Sequence, residues 1–250
     1  MKKNNDYNSK IDNKLKPIDA IMKSLYIDEV KSISSDMIES GIDSFLESEV
    51  LQHIPIVKSV HSLAKVSFAI REKYLLAKTI VFIQTLNQGN ANTEEIEKRK
   101  IAAENNEKWL QKEVELITFH LDRLDEVEKA KITAVFYVQY INQKISWGEY
   151  RELLAVVERV FYQDFIQLLD FHNASLEKKK VDEYISAGYD GGVVIKNIRQ
   201  LKCERLLAVG LVQVQRSPVS NGIHSDYSLS SLGQKFADVL IKIKWNDDNL

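Results

Sequence analysis

The sequence predicts a mainly α protein: a multi-helix bundle with long antiparallel helices, followed by a small C-terminal α+β module. Nine Gly and three Pro in 250 residues are few chain breaks, which favours long helices over many short strands. A second observation is a run of apolar residues spaced alternately four and three apart, typical of the seam of an antiparallel helix pair. These seam residues are Leu110, Val114, Ile117, Leu121 and Leu124. Third, strict alternation over 212–215 indicates a strand near the C-terminus.

The length of the chain exceeds the usual size of one domain, so more than one is expected. We expect a loosely ordered N-terminal tail over residues 1–30 and a helical bundle over 31–172. A linker is predicted over 173–192, because a charged connection there is followed by the glycine-rich stretch 188–192. Residues 193–250 then form the C-terminal module.

Composition and charge exclude several functional classes. The chain is 44% hydrophobic and 28% charged with a net charge of −2, so no overall field attracts nucleic acid or acidic lipid, and any basic site must be local. The single cysteine, Cys203, excludes an intramolecular disulfide and a cysteine-based zinc cluster. Together with the polar first 16 residues, it predicts a cytoplasmic protein.

The bundle opens with a helix whose N-cap lies at 34–36 and which ends before Pro55. Residues 56–86 are the most apolar part of the chain but carry frequent cations, so we expect a buried central helix, or two joined near Arg71. The alternative is an amphipathic segment, 54–86, that contacts a membrane after a trigger. Its contact residues would be Lys58, Lys65 and Phe68.

Thr93 is the expected N-cap of the next helix. This helix is predicted to be a solvated, charged stretch up to Lys108 and to continue past Trp109 into the seam. A hairpin follows, with a turn at 142–144 and a capping box between Ser146 and Glu149. Its second helix is predicted to extend as far as Leu168.

The sequence contains no local motif of a catalytic or cofactor-binding site. There is no nucleophile elbow, phosphate-binding loop or dinucleotide fingerprint. The five histidines are scattered, and no two have the spacing of a helical zinc site. We therefore expect no enzyme activity, no catalytic residue, no metal and no cofactor.

The segment from Ile195 to Ile241 reads as helix, strand pair and helix. The expected first helix has a polar side that could contact phosphates and bases. A wing loop over 216–226 would add one more cation. The candidate nucleic-acid-binding residues are Lys196, Arg199, Gln200, Lys202, Arg205 and Arg216.

Two resemblances follow from these motifs. The first rests on the pattern Leu206-x-x-x-Gly210-Leu211, followed by Tyr227-Ser228-Leu229-Ser230 and Gly233. This pattern resembles the C-terminal half of bacterial winged-helix domains, which bind DNA or protein. Residues 35–170, with their Ile-Pro-Ile-Val stretch, interrupted apolar helices and Ser-Trp-Gly-Glu hairpin, resemble a group of uncharacterised bacterial helical proteins. Some proteins of that group are found beside phage-defence genes.

The leading functional hypothesis is a non-enzymatic interaction or regulatory protein of a bacterial cell, in a stress or phage-defence setting. It would bind a protein partner, or a second copy of itself, through helix faces. A winged-helix DNA-binding regulator and a membrane-active effector that exposes residues 54–86 are the alternatives. No small-molecule substrate is indicated.

Overall fold

The structure is a computed structural model that describes residues 17–27, 54–61, 70–186, 204–219 and 222–244. Across these ranges the protein has ten helices and one two-stranded antiparallel sheet near the C-terminus. The mainly α class and the C-terminal strand pair are thus confirmed. Contacts within the chain separate two compact units, residues 1–155 and 156–250, and each is described by itself.

Unit 1 is entirely helical over its described residues. Its core is built on its third and sixth helices, which pack together. The third helix is buried almost continuously from Leu76 to Leu86. The helices are α1 (Pro17–Ser24), α2 (Pro55–His61), α3 (Ile70–Gln88), α4 (Thr93–Glu104), α5 (Lys108–Arg123), α6 (Lys129–Ile141) and the first part of α7 (Trp147–Arg159). The two core helices are α3 and α6.

Unit 2 combines helices with the strand pair. Its elements are the end of α7, α8 (Tyr162–Ser186), α9 (Glu204–Ala208), β1 (Val212–Val219), β2 (Gly222–Leu229) and α10 (Ser231–Lys242). Val212 lies opposite Leu229, and Val219 lies opposite Gly222. The helices α8 and α10 pack together, with the rings of Phe165 and Phe236 stacked at 6.3 Å between centroids.

Two local predictions in unit 1 are confirmed. All five seam residues are buried, as the spacing over 110–124 predicts. The capping box forms in both directions: the Ser146 amide donates to the Glu149 carboxylate at 2.8 Å, and the Glu149 amide donates to the Ser146 hydroxyl at 3.2 Å. The hairpin turn also lies where it is predicted, since α6 ends at Ile141 and Gln143 has a positive φ of 56°.

The prediction for the charged stretch before the seam is wrong in two respects. The N-cap of α4 is Asn92 rather than Thr93, because the Asn92 side chain accepts hydrogen bonds from two amides of the first turn. The chain also breaks after Glu104, where Asn106 has a φ of 53°. α4 and α5 are therefore separate helices. One face of α4, formed by Arg99, Ala102 and Ala103, is buried, whereas most of its other residues are exposed or half-buried, as the charged pattern predicts.

Three further differences concern element boundaries. The helix predicted to reach Leu168 is interrupted, since α7 ends at Arg159 and α8 begins at Tyr162. α8 then continues to Ser186, through much of the stretch predicted as a linker. The strands extend over most of 216–226, which was expected to be a wing loop, because the pairing register closes at Val219 and Gly222. The helix predicted over 34–50 and residues 187–203 lie outside the described residues.

Candidate functional site

Glu113 of α5 is the centre of a buried polar cluster in unit 1. Its side chain is only 10% exposed. One carboxylate oxygen accepts from the Tyr137 hydroxyl at 2.9 Å, and the other accepts from the Tyr140 hydroxyl at 2.6 Å. A buried carboxylate is costly unless its oxygens are bonded and its charge is balanced. Both donors come from α6, so Glu113 ties α5 to α6.

Arg99 of α4 supplies the balancing charge. Its guanidinium lies 3.7 Å from Glu113 and bonds Glu95 at 3.1 Å. It also lies over the rings of Trp109 and Tyr140, at 5.4 and 5.5 Å from their centroids. A planar guanidinium suits this arrangement because it stacks on aromatic rings while its edge bonds carboxylates. Its Nε is a buried nitrogen with no hydrogen-bond partner among the described residues.

The cluster extends to Tyr26, the second residue after the end of α1. The Tyr26 and Tyr137 hydroxyl oxygens are 3.2 Å apart. Since the single Tyr137 proton is donated to Glu113, Tyr26 must be the donor of the bond between the two hydroxyls. A directed chain therefore runs from Tyr26 through Tyr137 to Glu113.

The electrostatics of the cluster keep its tyrosine hydroxyls protonated. Burial, which excludes the charged phenolate, raises the pKa of Tyr26, Tyr137 and Tyr150 well above its ordinary value. The pKa of Tyr140 is also raised, by burial and by its bond to Glu113. These hydroxyls are therefore fixed donors at neutral pH. Within the described part of the chain, no group of three or more His, Cys, Asp or Glu side chains could hold a metal ion.

A second set of charges joins the end of α5 to α3. Arg71 bonds both carboxylate oxygens of Asp122 and holds the pKa of that carboxyl below its usual value. Two turns further along α3, Lys78 donates to the Leu124 carbonyl, which follows the end of α5. A cation at this position complements the negative end of the helix dipole. Burial of Lys78 lowers the pKa of its ammonium group.

Exposed apolar side chains flank this junction. Ile70 is 76% exposed, Tyr74 is 43% exposed and Phe119 is 57% exposed. Tyr74 lies about one helical turn from Arg71, and Phe119 lies about one turn from Asp122, so each aromatic residue is within about one turn of a member of the Arg71–Asp122 pair. Arg123 stacks on Phe119 at 5.3 Å. We call the set Ile70, Arg71, Tyr74, Phe119 and Arg123 the α3/α5 surface.

Unit 2 contains a tightly built junction between α9, the strands and α10. Gly210 has a φ of 76°, a conformation that glycine adopts at little cost. The Ser230 amide donates to the Leu211 carbonyl at 3.0 Å, and the Ser230 hydroxyl donates to the Gly210 carbonyl at 2.6 Å. Ser230 also caps α10, since its hydroxyl accepts from the Gly233 amide at 3.0 Å. A Cβ on Gly233 would lie 1.9 Å from the Leu211 carbonyl oxygen. A glycine at this position therefore allows the start of α10 to pack closely against the Leu211 backbone.

Only two of the six candidate nucleic-acid-binding residues, Arg205 and Arg216, lie among the residues that the structure describes. Arg205 lies on α9 and is bonded to the buried Asp164, with Nε to Oδ2 at 2.8 Å, while its guanidinium also lies over Phe161 at 5.1 Å. Its charge is therefore paired within unit 2, although the side chain is 59% exposed, and its role in binding nucleic acid stays a prediction. Arg216 is exposed on β1. The remaining four, Lys196, Arg199, Gln200 and Lys202, lie outside the described residues.

The candidate membrane-contact residues are only partly described. Lys58 is exposed on α2, and Lys65 and Phe68 lie outside the described residues. From Leu76 to Leu86, α3 is core rather than surface, as the central-helix reading predicts for that part. None of the described helices is both long enough and apolar enough to cross a membrane.

Sequence reasoning missed the Glu113 cluster and the α3/α5 surface. Glu113 precedes the seam residue Val114, and a carboxylate next to a seam is usually solvated, so its spacing gave no signal. The available hint was the density of aromatic residues at 137, 140, 147 and 150. Comparison with known proteins adds nothing to this geometry: no protein-family model, no curated protein and no solved structure matches the chain.

Proposed function

We propose that this protein is a non-enzymatic interaction protein that binds a protein partner through the α3/α5 surface. The observation that carries the proposal is that three large apolar side chains are exposed within about one helical turn of Arg71 or Asp122, which pair with each other across α3 and α5. Single exposed apolar residues are ordinary, whereas grouped aromatic and arginine side chains are enriched where proteins bind each other. A bacterial regulatory or phage-defence setting is part of the proposal and rests on sequence resemblance alone.

The chemistry of the surface indicates the kind of contact. Tyr74 and Phe119 offer rigid aromatic area with little side-chain entropy to lose. Arg71 and Asp122 largely neutralise each other, so the pair itself adds little net charge to the surface. It fits a partner that is itself apolar at the centre of the contact and polar at its edge.

The test replaces both aromatic residues, Tyr74→Ser with Phe119→Ser, and measures which proteins from the native cell co-purify with the tagged full chain. The matched control is Ile101→Ser, an equally exposed apolar residue on α4. We expect a partner that is retained by the native chain and the control and reduced at least about tenfold by the double variant, the effect of losing about 1.4 kcal/mol of binding free energy. A partner retained equally by all three chains contradicts the proposal.

A DNA-binding regulator is the second candidate, and the junction at Gly210, Ser230 and Gly233 favours it. This junction holds a short helix, an antiparallel strand pair and a further helix in the order of a winged-helix module. The variant that tests it changes Lys196, Arg199, Lys202 and Arg216 to Ala and leaves Arg205 in place, so that the Asp164 pair is kept. Loss of salt-sensitive binding to random duplex DNA supports this candidate, and unchanged binding with an unchanged salt slope contradicts it.

A further inference from the structure

We propose that α1 and α2 form a cover on unit 1 that opens as one piece while the rest of the unit stays folded. This goes beyond the proposed function, because the α3/α5 surface is exposed without any opening. α1 has eight residues and α2 has seven, and isolated helices of this length are unstable in water. Both helices therefore depend on the contacts that they make in the folded protein.

Ser24 couples the two helices to each other. It is fully buried, and its hydroxyl donates to the Ala20 carbonyl at 2.7 Å within α1. The same oxygen accepts from the Ile56 amide at 3.0 Å. Ile56 lies in the first turn of α2, where amides have no acceptor within their own helix. If α1 left alone, this amide would lose its partner, so the two helices separate from the unit together.

Two polar contacts attach the cover to the helices beneath it. The Tyr26 hydroxyl donates to the Tyr137 hydroxyl at 3.2 Å, and the Asn87 side chain donates to the Leu25 carbonyl at 2.8 Å. Both partners in the bundle keep a second bond when the cover leaves. Tyr137 still donates to Glu113, and Asn87 still donates to the Ile83 carbonyl. Opening therefore leaves neither Asn87 of α3 nor Tyr137 of α6 without a hydrogen bond, which lowers the free-energy cost of opening.

The surface beneath the cover has a defined chemistry. The buried side of α1 is apolar, with Ala20, Ile21 and Met22 all buried, and Leu25, which follows the helix, is buried as well. α1 packs against α4 and α5. Opening thus uncovers the surface that α1, an amphipathic helix, and the Tyr26 hydroxyl cover in the folded protein. Segments that open locally are the usual source of such regulated surfaces.

Hydrogen exchange of the full chain, followed by mass spectrometry, tests the cover directly. Tyr26→Phe removes one attachment, and we expect about fivefold faster exchange of the amides in 17–27 and 54–61, the effect of one lost hydrogen bond, with α6 unchanged. Tyr140→Phe is the matched control: it also removes a hydroxyl bonded to Glu113, but from within the bundle, and it is expected to leave both cover segments unchanged.

Two results would overturn the proposal. In the first, amides of α1, α2 and α6 all exchange in the native chain with one common free energy and one common denaturant dependence, which means that they open only by global unfolding. In the second, Tyr26→Phe accelerates α6 as much as it accelerates 17–27. Asn87→Ala provides an independent check, since it removes the other attachment and should accelerate the same two segments.

Discussion

At the scale of single residues, the stability of unit 1 depends on how its buried polar atoms are bonded. Glu113 is stabilised because two tyrosine hydroxyls and one guanidinium converge on it. Tyr26, which follows α1, joins the same network through Tyr137. The network links parts of the chain that are far apart in sequence, and this is why periodicity, a local signal, did not predict it.

Glycine spacing in unit 2 gives a prediction at the same scale. Gly233→Ala places a Cβ against the Leu211 carbonyl, so we expect a loss of about 3 kcal/mol in the free energy of unfolding. Gly148→Ala is the matched control, because the nearest atom to its Cβ is the Ser146 hydroxyl at 3.8 Å. It should be neutral or stabilise by about 0.5 kcal/mol, since alanine is the better helix former. Urea unfolding followed by circular dichroism measures both, and equal effects would contradict the assignment.

At the scale of elements, sequence pattern predicted helix faces well and helix ends less well. The seam at 110–124 and the hairpin with its capping box are correct because each depends on residues within a few positions of one another. The sequence did not predict the break between α4 and α5, because Asn105 and Asn106 occupy the positions where a helix end usually has glycine or proline. The strand pair was expected to be short because polar residues at 216–226 resemble a loop.

The contact between α3 and α5 predicts a pH dependence. Arg71 lowers the pKa of Asp122 relative to the unfolded chain, where it is about 3.9. A lowered pKa contributes stability that is present above the unfolded value and is lost as pH falls through the folded value. Asp122→Asn should therefore reduce the free energy of unfolding at pH 7, and the gap from the native chain should shrink below about pH 4. Glu115→Gln, an exposed change on the same helix, should show no such gap, and a gap independent of pH would contradict the role of Arg71.

At the scale of the whole molecule, the sequence correctly predicted a mainly α protein with a C-terminal strand pair. It also predicted a buried central helix, which the described part of α3 confirms from Leu76 onward. The α3/α5 surface could not be predicted because its members come from two helices that the Arg71–Asp122 pair brings together. Arg205 shows the converse: a cation in a suitable pattern is bonded to Asp164, a partner 41 positions away.

The most direct test of the proposed function is site-specific photo-crosslinking in the native cell. A photoreactive phenylalanine at position 119 samples the α3/α5 surface, and the same residue at position 101 samples an exposed site on α4. The proposal predicts a discrete crosslinked product of one mass from position 119 and none from position 101. No product from position 119, or the same products from both positions, would contradict it.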